Sequence, residues 1–387
     1  MATIDLFMFL CCVDVPFLEL LFLLGITIQI GYALSFFGRI FSLNSFRGEL
    51  NDKPPVSVIV CAKNEAENLR QNLPVILSQR YTNDAGKPLY EVIVVNDAST
   101  DHTALVLLSV QKDYPGLKVI NIAAEEERIF KGKKFALSKG VEIAESQFLV
   151  MTDADCKPVS EKWLQLMVAP LTEGKEIAAG YGKFVAHEGL LNSFIRWETM
   201  HTFLQYTTYA LNGFPYMAVG RNIACRKAIF EKALTSEAWN KLPSGDDDLL
   251  VNAAATKDNI AIVVDKDSFT LSMPKADFPE WVSQKQRHLS TGKYYRPAIK
   301  ALLSVYASSH ALIWLLFILL LIVGDTQMVL LAMAFRCFIY WFIWLYTAKK
   351  VGEKGILPLF PILDFTWMVY NFGFSPYILW KNKKQWK

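Results

Sequence analysis

Two acidic residues stand where chemistry on a phosphate ester could be carried out. Asp153 and Asp155 follow the apolar run of FLVMTDAD and are two residues apart. Side chains at this spacing on an extended chain point to the same side. Paired carboxylates are oxygen ligands that Mg²⁺ or Mn²⁺ accepts, and the bound cation could bridge a diphosphate. The pair therefore predicts a site for a divalent metal.

A second acidic cluster has more carboxylates than the start of a helix requires. Asp246, Asp247 and Asp248 precede an apolar helical pattern in LPSGDDDLLVNAA. Capping of a helix N-terminus explains one or two of them. The third suits a base that takes the proton of a hydroxyl group.

A basic and aromatic segment, FPEWVSQKQRHLSTGKYYRP, leads into an apolar stretch. As a helix it places Trp281, Lys285 and His288 on one side, which is typical of a helix at a membrane interface. In the alternative interpretation, Gln284 and Arg287 extend into the site, where a cation could neutralise a diphosphate leaving group. Both interpretations remain open from the sequence.

Short apolar strands alternate with helical patterns between residues 53 and 297. The segments PPVSVIVCAKNEAENL, YEVIVVNDASTDHTALVLLSV and LKVINI each begin with a strand pattern. This alternation predicts an α/β fold with a mostly parallel sheet, in which ligands bind at the carboxyl ends of the strands. The first strand–helix turn has no GxGxxG, and the chain has no GxxxxGK[ST], which argues against a dinucleotide oxidoreductase and a P-loop enzyme.

Composition divides the chain into a polar middle and apolar ends. The 387 residues are 52% hydrophobic and carry a formal net charge of +3. No basic run suggests nucleic acid as a partner. The six cysteines follow no zinc-binding spacing, and we expect no disulfide framework.

Apolar stretches predict membrane spans on both sides of a cytosolic domain. We expect an N-terminal anchor over residues 1–47, a catalytic domain with interfacial helices over 48–296, and a C-terminal membrane region over 297–387. The predicted spans are residues 17–37, 301–323, 328–346 and 356–380. Arg39, Arg47, Lys349 and Lys350 flank the first and third spans and predict a cytosolic middle. The fourth segment either crosses the membrane, as we favour, or is re-entrant.

Two charged residues, Arg336 and Asp364, fall well inside predicted spans. An unpaired charge at that depth costs several kcal/mol, so each needs a partner. We expect them to pair with each other. The alternative is a polar lining for a lipid headgroup.

The order of these motifs resembles a known pattern: AKNE, VNDASTD, GKKFAL, TDAD, GDDDLL and QKQRH. It is similar to the D, DxD, D, QxxRW series of membrane-bound, inverting family-2 glycosyltransferases with a GT-A fold. The resemblance implies transfer of a sugar from a nucleotide-sugar, with UDP expected, to a hydroxyl at the membrane. It covers residues 54–296 by motif and the flanking apolar segments by architecture.

The resemblance also implies roles for individual residues. Glu65 and Asp97 contact the nucleotide, Lys133 lies near the donor, and Asp153 contacts it. Asp155 is the metal ligand. Asp246 and Asp247 match the acceptor-side acid pair, with Asp247 as the general base. Gln284 and Arg287 match QxxR on the donor side.

One departure from the pattern concerns the acceptor. His288 stands where the series has Trp, which puts a processive polysaccharide synthase in doubt. We therefore expect single addition to a lipid or lipid-linked acceptor, by an integral protein of a bacterial-type inner membrane. A processive synthase and a non-catalytic membrane scaffold are the alternatives. Helices containing Trp197, Phe203 and Trp281 are expected to rest on the bilayer.

Overall fold

The central sheet has seven strands within the described residues, and six of them run in the same direction. The computed structural model describes residues 14–44, 50 and 52–379, with the backbone alone for residues 289 and 375–379. The strands are β1 (Val56–Ala62), β2 (Tyr90–Asp97), β3 (Leu117–Ile122), β4 (Phe148–Asp153), β5 (Cys156–Pro158), β6 (Ile177–Ala179), β7 (Gly182–Phe184), β8 (Ile223–Arg226), β9 (Ile260–Ile262) and β10 (Thr270–Ser272). The order across the sheet is β3-β2-β1-β4-β8-β6-β9, with β8 antiparallel to both neighbours, and β5-β10-β7 form a small second sheet.

The central strands are buried on both faces, as the sequence predicts for a largely parallel sheet. Every residue of β1 is buried. Because side chains alternate along a strand, Ile59 and Ile93 pack in one apolar cluster while Val58 and Val94 pack in another. Burial of each such side chain contributes roughly 1.5–3 kcal/mol. The predicted α/β fold with a mostly parallel sheet is confirmed.

Helices cover both faces of the sheet and continue into an apolar bundle. They are α1 (Val15–Ser35), α2 (Ala66–Leu77), α3 (Thr103–Asp113), α4 (Lys133–Ile143), α5 (Trp163–Thr172), α6 (Leu190–Leu211), α7 (Lys227–Leu234), α8 (Glu237–Lys241), α9 (Asp248–Ala254), α10 (Phe278–Leu289), α11 (Pro297–Val323), α12 (Thr326–Val351) and α13 (Phe360–Leu379). α4 packs on β1 and β2. α2, α3 and α5 contribute to the apolar cluster on the opposite face.

Three helices of the described chain, α1, α11 and α12, are long and apolar enough to cross a membrane. α13 occupies the fourth apolar stretch. α1 packs along α11, where Phe22 and Ile26 belong to the same apolar cluster as Ile313. Arg47 and the C-terminal lysines that bear on the orientation of the spans lie outside the described residues. That orientation stays a prediction.

Arg336 and Asp364 form a buried ion pair between α12 and α13, which confirms the predicted pairing. The Nη2 atom of Arg336 lies 3.2 Å from Asp364 Oδ1 and 3.2 Å from Gln29 Oε1 on α1. Trp314 on α11 donates its Nε1–H to Asp364 Oδ2 over 2.9 Å. The pair therefore joins all four apolar helices through charge-assisted and neutral hydrogen bonds.

Replacement of Arg336 by Met is expected to lower the free energy of unfolding by about 3–5 kcal/mol, because Asp364 is left as a buried charge without its partner. The double variant Arg336→Met/Asp364→Leu should recover most of this loss. Denaturant titration in detergent micelles measures both. Arg39→Met, at an exposed position after α1, is the control and should change little. If the losses of stability in the single variants Arg336→Met and Asp364→Leu simply added up in the double variant, the result would contradict an ion pair.

Candidate functional site

The carboxyl ends of the three central parallel strands meet at one edge of the sheet. Cys61 of β1 pairs in register with Val95 of β2 and with Asp153 of β4. Asp97, the last residue of β2, therefore lies near the same edge as Asp153. The strand-end carboxylates that are far apart in sequence share one cleft.

Two tight turns shape the cleft. Asn64 after β1 and Ala98 after β2 have positive φ angles of 57° and 51°, which few residues other than glycine adopt. The Asn64 side chain stabilises this geometry, because its Oδ1 accepts the backbone N–H of Thr100 over 2.8 Å. The backbone N–H of Glu65 donates to Thr103 Oγ1 over 2.9 Å. Such strained backbone is frequent at functional sites.

Glu65 lies at the start of α2, and its carboxylate accepts a hydrogen bond from Asn68 Nδ2 over 2.5 Å. Burial raises the pKa of Glu65, although the Asn68 hydrogen bond opposes the rise. The carboxylates of Asp155 and Asp153 also raise this pKa, so Glu65 lies near the acids at the strand ends.

Asp97 is fully buried and already has a partner. Both terminal nitrogens of Arg128 contact its carboxylate, with Nη1 3.1 Å from Oδ2. Arg128 lies between β3 and α4, in a segment for which the motifs predict no role. A nucleotide that binds Asp97 must share the carboxylate with Arg128 or displace it.

Asp153, Asp155 and Cys156 form the group of potential metal ligands found in the described residues. One ligand atom from each lies within 4.8 Å of the others. Burial, and then the neighbouring Asp153 carboxylate, raises the pKa of Asp155, whereas Arg221 and Lys275 oppose this rise. A divalent cation would relieve the repulsion between the two carboxylates. Two carboxylates at a half-buried strand end are a donor set that fits Mg²⁺ or Mn²⁺.

Lys133, the first residue of α4, connects the two acidic clusters. Its Nζ lies 2.5 Å from Asp153 Oδ1 and 3.1 Å from Asp246 Oδ2. Burial alone would lower the pKa of Lys133, but the two carboxylates hold it well above its usual range. In turn, Lys133 holds the pKa of Asp246 below its usual range despite burial. Lys133 is therefore shared by both clusters.

The two residues beside Lys133 anchor the segment that leads to the second cluster. A side chain on Gly132, whose φ is +65°, would collide with the carbonyl oxygen of Pro243, 2.2 Å from an ideal Cβ. The buried Lys134 Nζ donates to the carbonyl oxygens of Trp239 and Leu242 over 3.0 and 3.2 Å. The sequence motif gave no sign of this role for Lys134, because its partners lie more than 100 residues away.

The three consecutive aspartates have three different environments. Asp246 pairs with Lys133. Asp248 is buried and accepts the hydroxyls of Thr291 and Tyr295 over 2.8 and 2.7 Å. These contacts give Asp248 a structural role at the start of α9, whereas Asp247 occupies the N-cap position of that helix.

Neither Asp247 nor Asp248 has a side-chain cation among the ion pairs of the described residues, and the hydrogen bonds of the Asp247 carboxylate come from backbone N–H groups. Its Oδ2 accepts the backbone N–H of Gly220 over 2.5 Å, and its Oδ1 accepts that of Asp248 over 2.9 Å. Burial, and then the Asp246 carboxylate, raises its pKa to about 6, whereas those N–H groups and Lys133 oppose the rise. A carboxylate with a pKa near neutrality is suited to general-base catalysis.

α10 carries the three remaining predicted site residues. Arg287 is half-buried, and its charge acts on Asp153. Gln284 is also half-buried, and His288 is exposed at the end of the helix. The structure thus brings Arg287 toward Asp153. Within the described residues, no hydrogen bond or ion pair of the Gln284 or His288 side chain assigns either residue a specific role.

Three aromatic side chains of the helices expected on the bilayer lie in the protein interior. Trp197, Phe203 and Trp281 are 1%, 0% and 2% exposed. The Trp281 ring centroid is 5.6 Å from that of Tyr370 on α13. On the same helix, Lys285 forms an ion pair with Glu198 of α6. These three side chains therefore take part in core packing, with α10 between α6 and α13, and contact of their helices with a bilayer stays a prediction.

Another segment of the site, residues 219–222, escaped sequence reasoning. Gly220 supplies the N–H that binds Asp247, and an ideal Cβ at this position would lie 3.2 Å from the carboxylate. Asn222 fixes the segment by donating to the carbonyl oxygens of Tyr181 and Ser268 over 3.0 and 2.8 Å. A Gly-Arg-Asn tripeptide before a short strand is the signal that could have indicated it.

The α/β fold, with its mostly parallel sheet and acids at the strand ends, is of the GT-A type. Residues 57–234 match the family model described as Glycosyl transferase family 2. The region from β1 to α7 is therefore similar to family 2 glycosyltransferases.

Solved structures and curated relatives agree with this assignment. The fold is similar to that of a mannosyltransferase from Pyrobaculum calidifontis solved with GDP-Man and Mn²⁺, with a TM-score of 0.57, 17% identity and coverage of 92% of this chain and 99% of that chain. The chain is 30% identical over 162 residues to a beta-monoglucosyldiacylglycerol synthase of Nostoc sp., covering 41% of this chain and 32% of that protein. It is 34% identical over 164 residues to a dolichyl-phosphate beta-glucosyltransferase of Drosophila melanogaster, covering 40% of this chain and 49% of that protein. The chain spans about a third to a half of the length of such relatives.

Proposed function

We propose that the protein is an inverting glycosyltransferase that adds one sugar from a nucleotide-sugar, with UDP as the expected nucleotide, to a lipid or lipid-linked hydroxyl. The observation that carries this proposal is the position of Asp247. Its carboxylate lies on the N–H of Gly220. The adjacent Asp246 is connected by Lys133 to Asp153 on the donor side. A base candidate and the donor-side acids therefore share one cleft.

In the proposed reaction the acceptor oxygen attacks the anomeric carbon of the donor while Asp247 takes the hydroxyl proton. The bond between that carbon and the diphosphate oxygen breaks in the same step, so the configuration at the carbon inverts. The diphosphate leaves with the electron pair of this bond. Arg287, half-buried on α10 and interacting with the charge of Asp153, is proposed to stabilise the negative charge of the leaving group.

We propose Asp155 as the ligand of a divalent metal, Mg²⁺ or Mn²⁺, with Asp153 beside it. The closeness of their ligand atoms supports this assignment. The Mn²⁺ in the mannosyltransferase structure of similar fold is consistent with it. When bound, such a cation supplies Lewis-acid stabilisation of diphosphate oxygens. On the nucleotide side, Glu65 and Asp97 are proposed to bind the base and ribose, with Gln284 assisting on the donor side.

The proposed acceptor is a lipid because the site adjoins the apolar helices. α10, which carries Arg287, packs on α13. The names of two relatives, a glucosyldiacylglycerol synthase and a dolichyl-phosphate glucosyltransferase, also point to lipids. His288 and Asp246 are proposed on the acceptor side. The proposed location is a bacterial-type inner membrane with the catalytic domain in the cytosol, and a reporter fused after Lys354 that reads as extracytoplasmic would contradict this orientation.

Activity is expected to fall below pH 6. Burial and the Asp246 carboxylate raise the pKa of Asp247 to about 6. Asp247 accepts a proton only when ionised, so kcat/KM should be constant above this pH and fall about tenfold per unit below it. A pH–rate profile of the purified enzyme measures this limb. Asp246→Asn removes a carboxylate that raises the pKa, so its acid limb should move to lower pH; an unmoved limb would contradict the assignment.

Product analysis tests the proposed function itself. Purified protein is incubated with Mn²⁺, UDP- and GDP-sugars in turn, and either diacylglycerol, a polyprenyl phosphate or total membrane lipid, and products are identified by mass spectrometry. One added sugar per lipid supports the proposal. A ladder of sugars supports a processive synthase instead, and absence of transfer together with absence of nucleotide binding supports a scaffold. Asp247→Asn serves as the control for contaminating activity.

A further inference from the structure

Arg221 is fixed by its backbone at the junction of the two sheets. Its carbonyl oxygen accepts the hydroxyl of Thr152 on β4 over 2.9 Å and that of Thr270 on β10 over 3.0 Å. It directly follows Gly220, whose N–H binds Asp247. The position of Arg221 relative to both acidic clusters is therefore set by four separate hydrogen bonds of residues 220–222 and their partners.

Packing also holds the side chain of Arg221. The guanidinium carbon lies 4.1 Å from the centroid of the Phe184 ring, a cation–π distance. Gly182 makes room for it, because an ideal Cβ there would be 2.4 Å from Arg221 Nε. Nη1 of Arg221 donates to Ser272 Oγ over 3.3 Å. The side chain is thus directed by a ring, a glycine and a weak hydrogen bond.

Most hydrogen-bond donors of this guanidinium remain unused. A guanidinium has five N–H donors. Within the described residues, the Ser272 contact is the hydrogen bond its side chain makes, and no carboxylate lies within ion-pair distance. Arg221 nevertheless influences the metal-site group, since its positive charge acts on Asp155 and Cys156. A half-buried cation with free donors beside an acid-lined cleft is prepared for an anion.

We propose that Arg221 is a second phosphate-binding residue of the site, which donates hydrogen bonds to a phosphate oxygen of a bound substrate. This inference rests on the proposed function and adds to it. Arg287 on α10 interacts with the charge of Asp153, and Arg221, in the segment that precedes β8, interacts with that of Asp155. The phosphate belongs either to the donor diphosphate or to a lipid-phosphate acceptor, and the two sources respond differently to the experiment below.

Arg221→Gln and Arg221→Lys test the proposal, with Arg226→Gln as the matched control. Arg226 also lies over an aromatic ring, with its guanidinium carbon 5.0 Å from the Phe148 centroid, but at the opposite end of β8. Its Nη2 donates to the carbonyl oxygen of Leu171 over 3.0 Å. The control thus removes a similarly packed arginine away from the cleft.

Isothermal titration calorimetry with Mn²⁺ measures the affinity of each variant for UDP and for inorganic pyrophosphate, a probe that does not depend on the nucleotide. If the donor diphosphate is the ligand, Arg221→Gln should weaken both about tenfold to a hundredfold, as expected for a lost hydrogen bond to a charged group. Arg221→Lys should recover part of the affinity, and Arg226→Gln should match the wild type.

Steady-state kinetics provide the second arm. If the phosphate belongs to the acceptor, UDP and pyrophosphate affinities stay unchanged, and the KM for a polyprenyl phosphate rises while that for diacylglycerol does not. Unchanged affinities together with unchanged KM values in Arg221→Gln would overturn the proposal. A wild-type protein that binds pyrophosphate with Mn²⁺ through Arg221 but transfers no sugar would instead contradict the proposed function alone.

Discussion

Asp247→Asn should reduce kcat by about a hundredfold to ten-thousandfold, the usual contribution of a general base. The amide keeps the size of the carboxylate and can still accept one of the two backbone N–H groups, from Gly220 or Asp248. It cannot take the proton of the acceptor hydroxyl. Donor binding should change little, because Asp247 touches neither Asp153 nor Asp155 in the contacts of the described chain. Initial rates of sugar transfer and calorimetry with UDP and Mn²⁺ measure the two quantities separately.

Asp265→Asn provides the matched control for this loss of charge. Asp265 also accepts a backbone N–H at the start of a short helix, that of Asp267 over 2.9 Å. It takes no part in the acidic clusters, so its variant should retain wild-type turnover. Asp247→Asn with full activity would remove Asp247 as the base, whereas lost UDP binding in that variant would indicate damage to the site rather than to the proton transfer.

Asp155→Ala should abolish the increase in UDP affinity that Mn²⁺ causes and lower turnover by about a hundredfold or more. The reason is the loss of the proposed metal ligand, because Lewis-acid stabilisation of a diphosphate contributes several kcal/mol to the transition state. Treatment of the wild type with EDTA should produce the same loss, and added Mn²⁺ or Mg²⁺ should restore activity in the wild type only. Calorimetry of UDP with and without Mn²⁺ gives the direct measurement.

Asp113→Ala serves as the control for this prediction, because Asp113 is exposed at the end of α3. Its metal dependence should equal that of the wild type. Normal Mn²⁺-dependent binding of UDP by Asp155→Ala would show that another residue holds the metal. Asp153 and the thiol of Cys156, whose Sγ is 3.2 Å from Asp155 Oδ1, are then the next candidates.

The sequence was sufficient for features that depend on neighbours along the chain. Apolar β-branched runs predicted the strands, and the strand-end position of Asp153 predicted its place at the ligand-binding edge. The apolar stretches predicted the long helices, and the cost of isolated charges predicted the pair of Arg336 and Asp364. In each case a local sequence pattern, or the large free-energy cost of an isolated buried charge, is enough for the prediction.

Features that depend on distant partners could not be predicted. GKK is recognisable as a motif, but only the fold shows that Lys133 connects Asp153 with Asp246, which lie 20 and 113 residues further along the chain. The ion pair of Arg128 with Asp97 and the hydrogen bond from the Gly220 N–H to Asp247 likewise join residues that are far apart in sequence. The burial of Trp281 could not be decided from the sequence, because amphipathic spacing is the same for a helix on a bilayer and a helix between two others.

The packing of α10 has a consequence for how the protein can be divided. Trp281 contacts Tyr370 of α13, and Asp248 of α9 binds Thr291 and Tyr295 just before α11. A fragment that ends near residue 296 would keep every acid of the site. It would lose α13, against which the helix that carries Arg287 packs. The change in composition at that point marks where the chain becomes apolar, and the folding unit extends past it. The cleft and the apolar helices are thus packed against each other through α10 and α13 in the described residues, and a fragment without α13 is expected to be less stable.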